Sequence, residues 1–128
     1  MECASTNRFN KRSDFMPFIN VKTNVKITEE KAEHIKTELG TAITAIPGKS
    51  ESWLMVGIED GYKLWFKGSD KPAAMVEVQL YGGASSHDMS ELTSSITGLL
   101  YENLEIPADR IYVSYMLTEH WGWNGSNF

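Results

Sequence analysis

Cysteine is almost absent from this sequence, because the only one in 128 residues is Cys3, in the leading segment. One thiol cannot form an intrachain disulfide and cannot by itself build a thiolate metal site. His34 and His87 also stand at no spacing typical of metal ligands. We therefore expect a fold that is stabilised by packing, with no metal and no cofactor.

Long apolar runs and an excess of basic charge are lacking as well. No apolar run approaches the ~20 residues that cross a bilayer. The formal net charge is −5, whereas nucleic acids and anionic membranes are bound by clustered basic surfaces. The sequence therefore predicts neither a nucleic acid nor a membrane as a partner.

The length fits one domain that is preceded by a short extension. A chain of 128 residues is long enough for one buried core and too short for two. Residues 1–15 carry scattered Asn, Ser, Lys and Arg and have no apolar stretch of the kind that a secretory signal needs. We predict an appended or disordered extension over residues 1–15, a domain over residues 16–128, and a cytoplasmic protein.

Hydrophobic periodicity divides the domain into two similar units. Thr28 is the expected N-cap of an amphipathic helix that ends before Pro47-Gly48, and Ser85 with Asp88 fits a capping box at the start of a second helix. Other segments alternate or are apolar in the manner of strands. These predicted strands are residues 18–25, 52–60, 62–66 (a short extra strand), 75–83 and 111–117.

Two successive strand-helix-strand units predict the fold class α/β (α+β), with a four-stranded mixed sheet and both helices on one face, because parallel crossovers are right-handed. The other face would carry a mixture of polar and large apolar side chains, which a uniformly solvated face does not need. We infer an oligomer in which such faces surround a partly wet centre. The residues concerned are Asn20, Lys22, Trp53, Met55, Glu77, Gln79, Tyr112 and Ser114.

Five blocks in fixed order carry a resemblance to one family: MPFINVKTNV, PGKSESWLMVGIED, DKPAA, PADRIYVSYM and GWNGSNF. From Met16 to Phe128 the sequence resembles the macrophage migration inhibitory factor (MIF) family of the tautomerase superfamily, which includes the D-dopachrome tautomerases. The resemblance implies a MIF-like tautomerase fold and a homotrimer with three active sites at subunit interfaces. It also implies an isomerase, a keto-enol tautomerase that acts on small aromatic α-keto acids such as phenylpyruvate or on dopachrome-like compounds.

Keto-enol chemistry needs a base that works near neutral pH, a cation for the substrate carboxylate and an apolar slot. By the resemblance, the base is the amine of Pro17, exposed when Met16 is removed, and Lys49 binds the carboxylate. The resemblance also implies a substrate-binding set in which Tyr112 and Ser114 come from the neighbouring subunit. That set is Phe18, Trp53, the backbone of Tyr81, Tyr112, Ser114, Trp121, Trp123 and Phe128.

Each of these assignments has a purely structural alternative. Pro17 is tolerated as the first residue of a strand. Lys49 follows Gly48 and is, taken alone, typical of a solvated turn lysine. Tyr112 and the C-terminal aromatic residues are typical of packing in a core or an interface.

The sequence also departs from the family at several positions. Mammalian members carry Cys-x-x-Cys where residues 73–76 here read AAMV, so a thiol-oxidoreductase activity is not implied. Ser114 stands where Asn is frequent, and Tyr81 stands where a small aliphatic residue is usual, which leaves substrate preference open. Asn124-Gly125-Ser126 matches a glycosylation sequon, and we interpret its Asn-Gly pair as a tight turn.

A second function from another class stays open. Animal members of the family also act as secreted cytokines without a signal peptide, so the alternative is an exported MIF-like cytokine or binding protein with a protein receptor and little or no catalysis. Retention of residues 1–15 favours this alternative. The nitrogen of Pro17 inside a Met16-Pro17 peptide bond is an amide and has no basic lone pair.

Overall fold

The computed structural model describes residues 16–128. The predicted extension over residues 1–15, with Cys3, lies outside the described residues. The described part contains a four-stranded mixed sheet, two α-helices and a small C-terminal hairpin, which confirms the predicted fold class. In chain order the elements are β1 (Pro17–Thr23), α1 (Glu29–Ala42), β2 (Met55–Glu59), β3 (Ala74–Tyr81), α2 (Ser86–Leu104), β4 (Ile111–Thr118), β5 (Gly122–Trp123) and β6 (Ser126–Asn127).

The sheet has the strand order β2-β1-β3-β4. The strands β1 and β2 are parallel and joined through α1, and β3 and β4 are parallel and joined through α2. The two units meet in the middle, where β1 and β3 run antiparallel with Ile19 opposite Val78 and Val21 opposite Val76. The start of β1 therefore lies beside the end of β3.

The core lies between the sheet and the two helices. Alternate residues of β1 and β3 are buried, as the period of a strand with one covered face requires. Both helices cover that face, and their fully buried side chains belong to the same hydrophobic cluster as those of the strands. The helix residues at its centre are Ile35, Leu39, Leu92, Ile96 and Leu100.

Both helices begin at the residues that the sequence predicts. The Thr28 Oγ1 accepts from the backbone N–H of Lys31 at 3.1 Å, and the Ser85 Oγ accepts from that of Asp88 at 3.0 Å. Each contact satisfies one backbone donor that a helix start would otherwise leave unpaired. Within residues 16–128, no helix combines the length and the apolar character needed to cross a membrane.

Three details of the strand prediction are wrong. Residues 62–66 form no strand, because only an isolated bridge joins Phe66 to Ser69. The strand β1 ends at Thr23 rather than Val25, since the Thr23 Oγ1 turns back to accept the Val25 N–H at 3.2 Å. Trp53 also lies in a 3₁₀ turn, Glu51–Trp53, rather than on the open face of the sheet.

The face of the sheet opposite the helices is mixed, as predicted. The Lys22 Nζ lies 3.4 Å from the Glu77 Oε1. Large side chains on the same face remain open to solvent, among them Met55 and Tyr112, which are 68% and 60% exposed. Exposed apolar groups beside polar ones favour a face that meets another subunit.

Candidate active site

Tyr81, the last residue of β3, connects the two residues that carry the predicted chemistry. Its backbone N–H donates to the carbonyl of Met16 at 3.1 Å. Its own carbonyl accepts from the Lys49 Nζ at 3.0 Å. The Met16 carbonyl carbon is bonded to the nitrogen of Pro17. The predicted base and the predicted cation therefore both lie beside the backbone of Tyr81.

Lys49 is buried, with 5% of its surface exposed. A tight turn brings it inward, in which Gly48 adopts a φ of 84° and the Lys49 N–H donates to the Ile46 carbonyl at 3.0 Å. The alternative of a solvated turn lysine is therefore wrong. A buried ammonium group is costly without polar partners, and the Tyr81 carbonyl supplies one of them. Such a lysine is suited to an anionic ligand.

Pro17 is buried at the first position of β1, opposite Leu80. In the chain as described its nitrogen belongs to the peptide bond with Met16, so this nitrogen is neither a donor nor a base. Met16 itself is 4% exposed and continues the pairing of β1 with β3 through its carbonyl. The sequence pattern gave no signal that Met16 is packed in this way.

Three of the predicted aromatic residues form a continuous wall with the ring of Tyr81. The rings of Tyr81 and Phe128 lie 5.6 Å apart between centroids, and those of Trp123 and Phe128 lie 6.3 Å apart. Trp53 meets Trp123 edge to face at 5.2 Å. Edge-to-face and tilted contacts at these separations are favourable for aromatic rings. The wall offers an apolar surface for a flat ring.

The C-terminal hairpin puts this wall in place. Asn124 and Gly125 both have positive φ, 55° and 89°, between the short strands β5 and β6. This confirms the interpretation of Asn-Gly as a tight turn. The hairpin closes with the Phe128 N–H donating to the Trp121 carbonyl at 3.1 Å, so Trp121 contributes here through its backbone.

An open cleft of about 690 Å³ borders the wall on the side of β4. Tyr81 and Phe128 line it together with residues outside the predicted substrate-binding set. Thr118 pairs with Tyr81 at the end of β4, and its carbonyl accepts the Gly82 N–H at 2.9 Å. Continuing the alternation of β4 by one residue is the signal that identifies Thr118. The further lining residues are Gly82, Gly83, Leu117 and Glu119.

The structure does not bring all the predicted residues together within one chain. Phe18 follows Pro17 and pairs with Gln79. Tyr112, however, pairs with Met75 near the other end of β3, and Thr118, six residues later on β4, pairs with Tyr81. At ~3.3 Å per residue this separation is about 20 Å. Tyr112 cannot reach the Tyr81 end of its own chain.

Ser114 is likewise remote from Tyr81, because it pairs with Glu77 in the middle of β3. Both Ser114 and Tyr112 are exposed on β4. In residues 16–128, no group of three or more His, Cys, Asp or Glu side chains is arranged to hold a metal ion. One chain therefore brings together the buried Lys49, the start of β1 at Pro17 and the aromatic wall.

The chain is similar to known proteins over nearly all of its described length. A family model described as macrophage migration inhibitory factor (MIF) matches residues 16–128. The macrophage migration inhibitory factor of Meriones unguiculatus is 33% identical over 118 residues, which cover 88% of this chain and 99% of that protein. A homolog from Trichuris trichiura is 30% identical over 115 residues, covering 88% of this chain and all of that protein.

Solved structures give the same result. The crystal structure of Leishmania major MIF2 superposes with a TM-score of 0.83 at 33% identity, covering 89% of this chain and 98% of that one. A macrophage migration inhibitory factor homologue from Prochlorococcus marinus superposes with a TM-score of 0.80 at 32% identity, covering 87% and 98%. Sequence and fold comparisons therefore point to the same group of proteins.

Proposed function

The chain belongs to the macrophage migration inhibitory factor family, and we propose that it is a keto-enol tautomerase once Pro17 is its amino-terminal residue. Tautomerase activity is known for some members of this family. The substrates we propose are phenylpyruvate-like or dopachrome-like compounds. The observation that carries the proposal is the position of Tyr81, whose two backbone groups contact the Met16 carbonyl and the Lys49 ammonium.

Pro17 is the proposed base. An α-amino group has an ordinary pKa near 8, and burial beside another cation lowers the pKa of such an amine. Pro17 is buried, and Lys49 reaches the residue that pairs with this end of β1. The neutral amine takes a proton from the carbon next to the keto group. The C–H electron pair becomes the C=C bond, and the C=O π pair moves to the keto oxygen. This oxygen takes up a proton from water to form the enol, and protonated Pro17 returns its proton to water.

Loss of Met16 also prepares a place for the substrate carboxylate. In the described chain, the Tyr81 N–H donates to the Met16 carbonyl. When Met16 is absent, this backbone donor has lost that acceptor and lies close to the Lys49 Nζ. A carboxylate can accept from both, which is the stronger, charge-assisted kind of hydrogen bond. The aromatic wall then contacts the ring of the substrate.

The complete site is proposed to need a homotrimer. Tyr112 and Ser114 are exposed and remote from Tyr81 in their own chain, so they can serve only a neighbour's site. The cleft on the β4 side of Phe128 is open in one chain and gives a neighbour room to approach. The proposed roles of Phe18 and Trp121 are to line the pocket near Pro17 and Phe128.

The proposal is tested with a chain that begins at Pro17. It should convert phenylpyruvate between keto and enol forms, followed by ultraviolet absorbance. Pro17→Gly in the same chain should lose most of the rate, roughly a hundredfold, because a positioned general base typically contributes 10²–10⁴-fold. Glycine keeps an amine but not the ring that fixes its direction. An unchanged rate in Pro17→Gly contradicts the assignment of the base.

A second candidate is a cytokine-like or receptor-binding protein with little catalysis. It is favoured by the covalent state of the described chain, in which the nitrogen of Pro17 is an amide and Met16 is buried and paired with Tyr81 at the end of β3. Intact-mass measurement of the natively expressed protein separates the two candidates. A chain that starts at Pro17 supports the enzyme, which we propose is cytoplasmic, and a retained extension supports the binding protein, which would be exported.

A further inference from the structure

We infer that Arg110 and Phe66 are positioning residues, which fix the direction of Tyr112 and so the wall that Tyr112 gives to a neighbouring subunit's site. The inference rests on the proposed function, in which Tyr112 serves a neighbour. Nothing in the sequence pattern marked Arg110 or Phe66. The contacts of the loop between β2 and β3 identify them.

That loop, residues 60–73, has no helix or strand, and side chains from elsewhere hold its backbone instead. The Asn24 Nδ2 lies within hydrogen-bond distance of the carbonyls of Leu64, Asp70 and Lys71, at 3.1, 3.1 and 3.0 Å. A loop whose carbonyls are paired in this way keeps a defined shape without regular structure.

Arg110, just before β4, makes the most extensive of these contacts. Its Nε donates to the Pro72 carbonyl at 2.9 Å, and its Nη1 donates to the Phe66 carbonyl at 3.2 Å. Its Nη2 donates to the carbonyls of Ser69 and Lys71, both at 2.9 Å. Such a set requires the planar, five-donor guanidinium group, and a lysine cannot replace it.

The same guanidinium group holds the ring of Phe66. Its Cζ lies 5.3 Å from the ring centroid, and the Lys67 Nζ lies 5.8 Å from it. The backbone of Phe66 is closed by two hydrogen bonds with Ser69, at 2.9 and 3.0 Å, around a turn in which Lys67 and Gly68 have positive φ. Both the backbone and the ring of Phe66 are therefore fixed.

Phe66 in turn contacts Tyr112, with the ring centroids 5.0 Å apart and the planes at 88°. Tyr112 is 60% exposed, so burial within its own chain does not fix its rotamer. The edge-to-face contact with Phe66 is a directional interaction, and it fixes the rotamer of Tyr112. Arg110 ends the 3₁₀ turn Ala108–Arg110 directly before β4, and its guanidinium group and the Tyr112 ring both lie against the ring of Phe66.

A double-mutant cycle on activity tests this inference in a chain that begins at Pro17. Phe66→Leu should lower kcat/KM for phenylpyruvate by roughly five- to tenfold, as expected for coupled neighbours. The loss should appear mainly in KM, because Tyr112 would contact the substrate ring rather than the reacting atoms. In a Tyr112→Ala background, Phe66→Leu should change kcat/KM by less than about twofold. Equal losses in the two backgrounds overturn the inference.

A spectroscopic measurement keeps the test independent of activity. A 3-fluorotyrosine at position 112 should give one narrow ¹⁹F resonance in the parent chain. Phe66→Leu and Arg110→Lys should shift or broaden it. Thr93→Val is the matched control, because Thr93 contacts the same strand through the Tyr115 hydroxyl at 2.8 Å, away from Phe66. This control should leave the resonance unchanged.

The two measurements distinguish the possible failures. If Phe66→Leu leaves the fluorine resonance of position 112 unchanged, Phe66 does not set the direction of Tyr112 and the inference is wrong. If the parent chain does not turn over phenylpyruvate at all, the proposed function fails. If the parent chain is inactive but Phe66→Leu and Arg110→Lys still change the fluorine resonance, these residues do set the direction of Tyr112. That result would refute a role of the contact in catalysis.

Discussion

Replacing Lys49 by methionine in a chain that begins at Pro17 tests the proposed carboxylate site. Methionine keeps most of the apolar stem of lysine and removes the ammonium group. Lys49 is 5% exposed and donates to the Tyr81 carbonyl at 3.0 Å. The variant therefore removes one buried donor and changes the space around it little.

Two magnitudes follow from that geometry. Leaving the Tyr81 carbonyl without its donor should reduce the free energy of unfolding by about 1–3 kcal/mol. A hydrogen bond to a charged group contributes about 1.5–3 kcal/mol, so kcat/KM for phenylpyruvate should fall by roughly 10- to 150-fold. The methyl ester of phenylpyruvate offers only an uncharged oxygen to the ammonium group, so it should lose a weaker contact of about 0.5–1.5 kcal/mol, or roughly 2- to 10-fold.

The assay compares the two substrates in the same enzyme preparation. The ratio of kcat/KM for the acid to that for the ester should fall by about tenfold in Lys49→Met. Lys63→Met is the matched control, because Lys63 is an exposed lysine on the 60–73 loop, and it should leave the ratio unchanged. Equal losses for acid and ester in Lys49→Met would show that Lys49 serves only to hold the Tyr81 carbonyl.

Two further predictions concern assembly and pH. Light scattering at micromolar concentration should give about three times the mass of one chain, and a monodisperse monomer would remove the shared site and the role of Tyr112. Burial raises the pKa of the Tyr115 hydroxyl above its ordinary value of 10.0, and a hydrogen bond with Thr93 lowers this pKa by less. The unfolded chain therefore releases this proton first, so stability falls as pH rises past 10. Urea unfolding of Tyr115→Phe should show a smaller alkaline loss than the parent, and an equal loss would refute this.

Local sequence patterns were sufficient to predict most of the fold. The alternation of Ile19 and Val21 in β1 and of Val76 and Val78 in β3 sets the buried face of the sheet. Thr28 begins the first helix as predicted, because an N-cap acts within one turn. These signals depend only on neighbouring residues, which is why the sequence alone reveals them.

Features that depend on contacts between residues far apart in the chain could not be predicted from the sequence. Residues 62–66 have the composition of a strand, yet their backbone is held by side chains such as Asn24, which is 40 positions from Leu64. Lys49 has the surroundings of an exposed turn residue, and the partner that accepts from its buried ammonium group, Tyr81, is 32 positions away. No window of neighbouring residues contains either contact.

The site residues were predicted through resemblance rather than through periodicity. The structure places Tyr81 in contact with both Lys49 and the aromatic wall, and the roles of these residues in binding and catalysis stay predictions. Met16, which also belongs to this region, carries no pattern that marks it, and Thr118 is identified only by continuing the alternation of β4 by one residue. Tyr112 was predicted to serve a neighbour, and its position far from Tyr81 is the geometry which that role requires.

The central claim is that catalysis requires Pro17 as the amino-terminal residue. The most direct measurement compares phenylpyruvate tautomerisation by the full 128-residue chain with that by a chain that begins at Pro17. Mass spectrometry confirms each terminus, and light scattering confirms that both assemble equally. We predict that the Pro17-terminal chain is active and that the uncleaved chain is nearly inactive. Equal activity of the two chains would contradict the claim, because an amide nitrogen cannot act as the base.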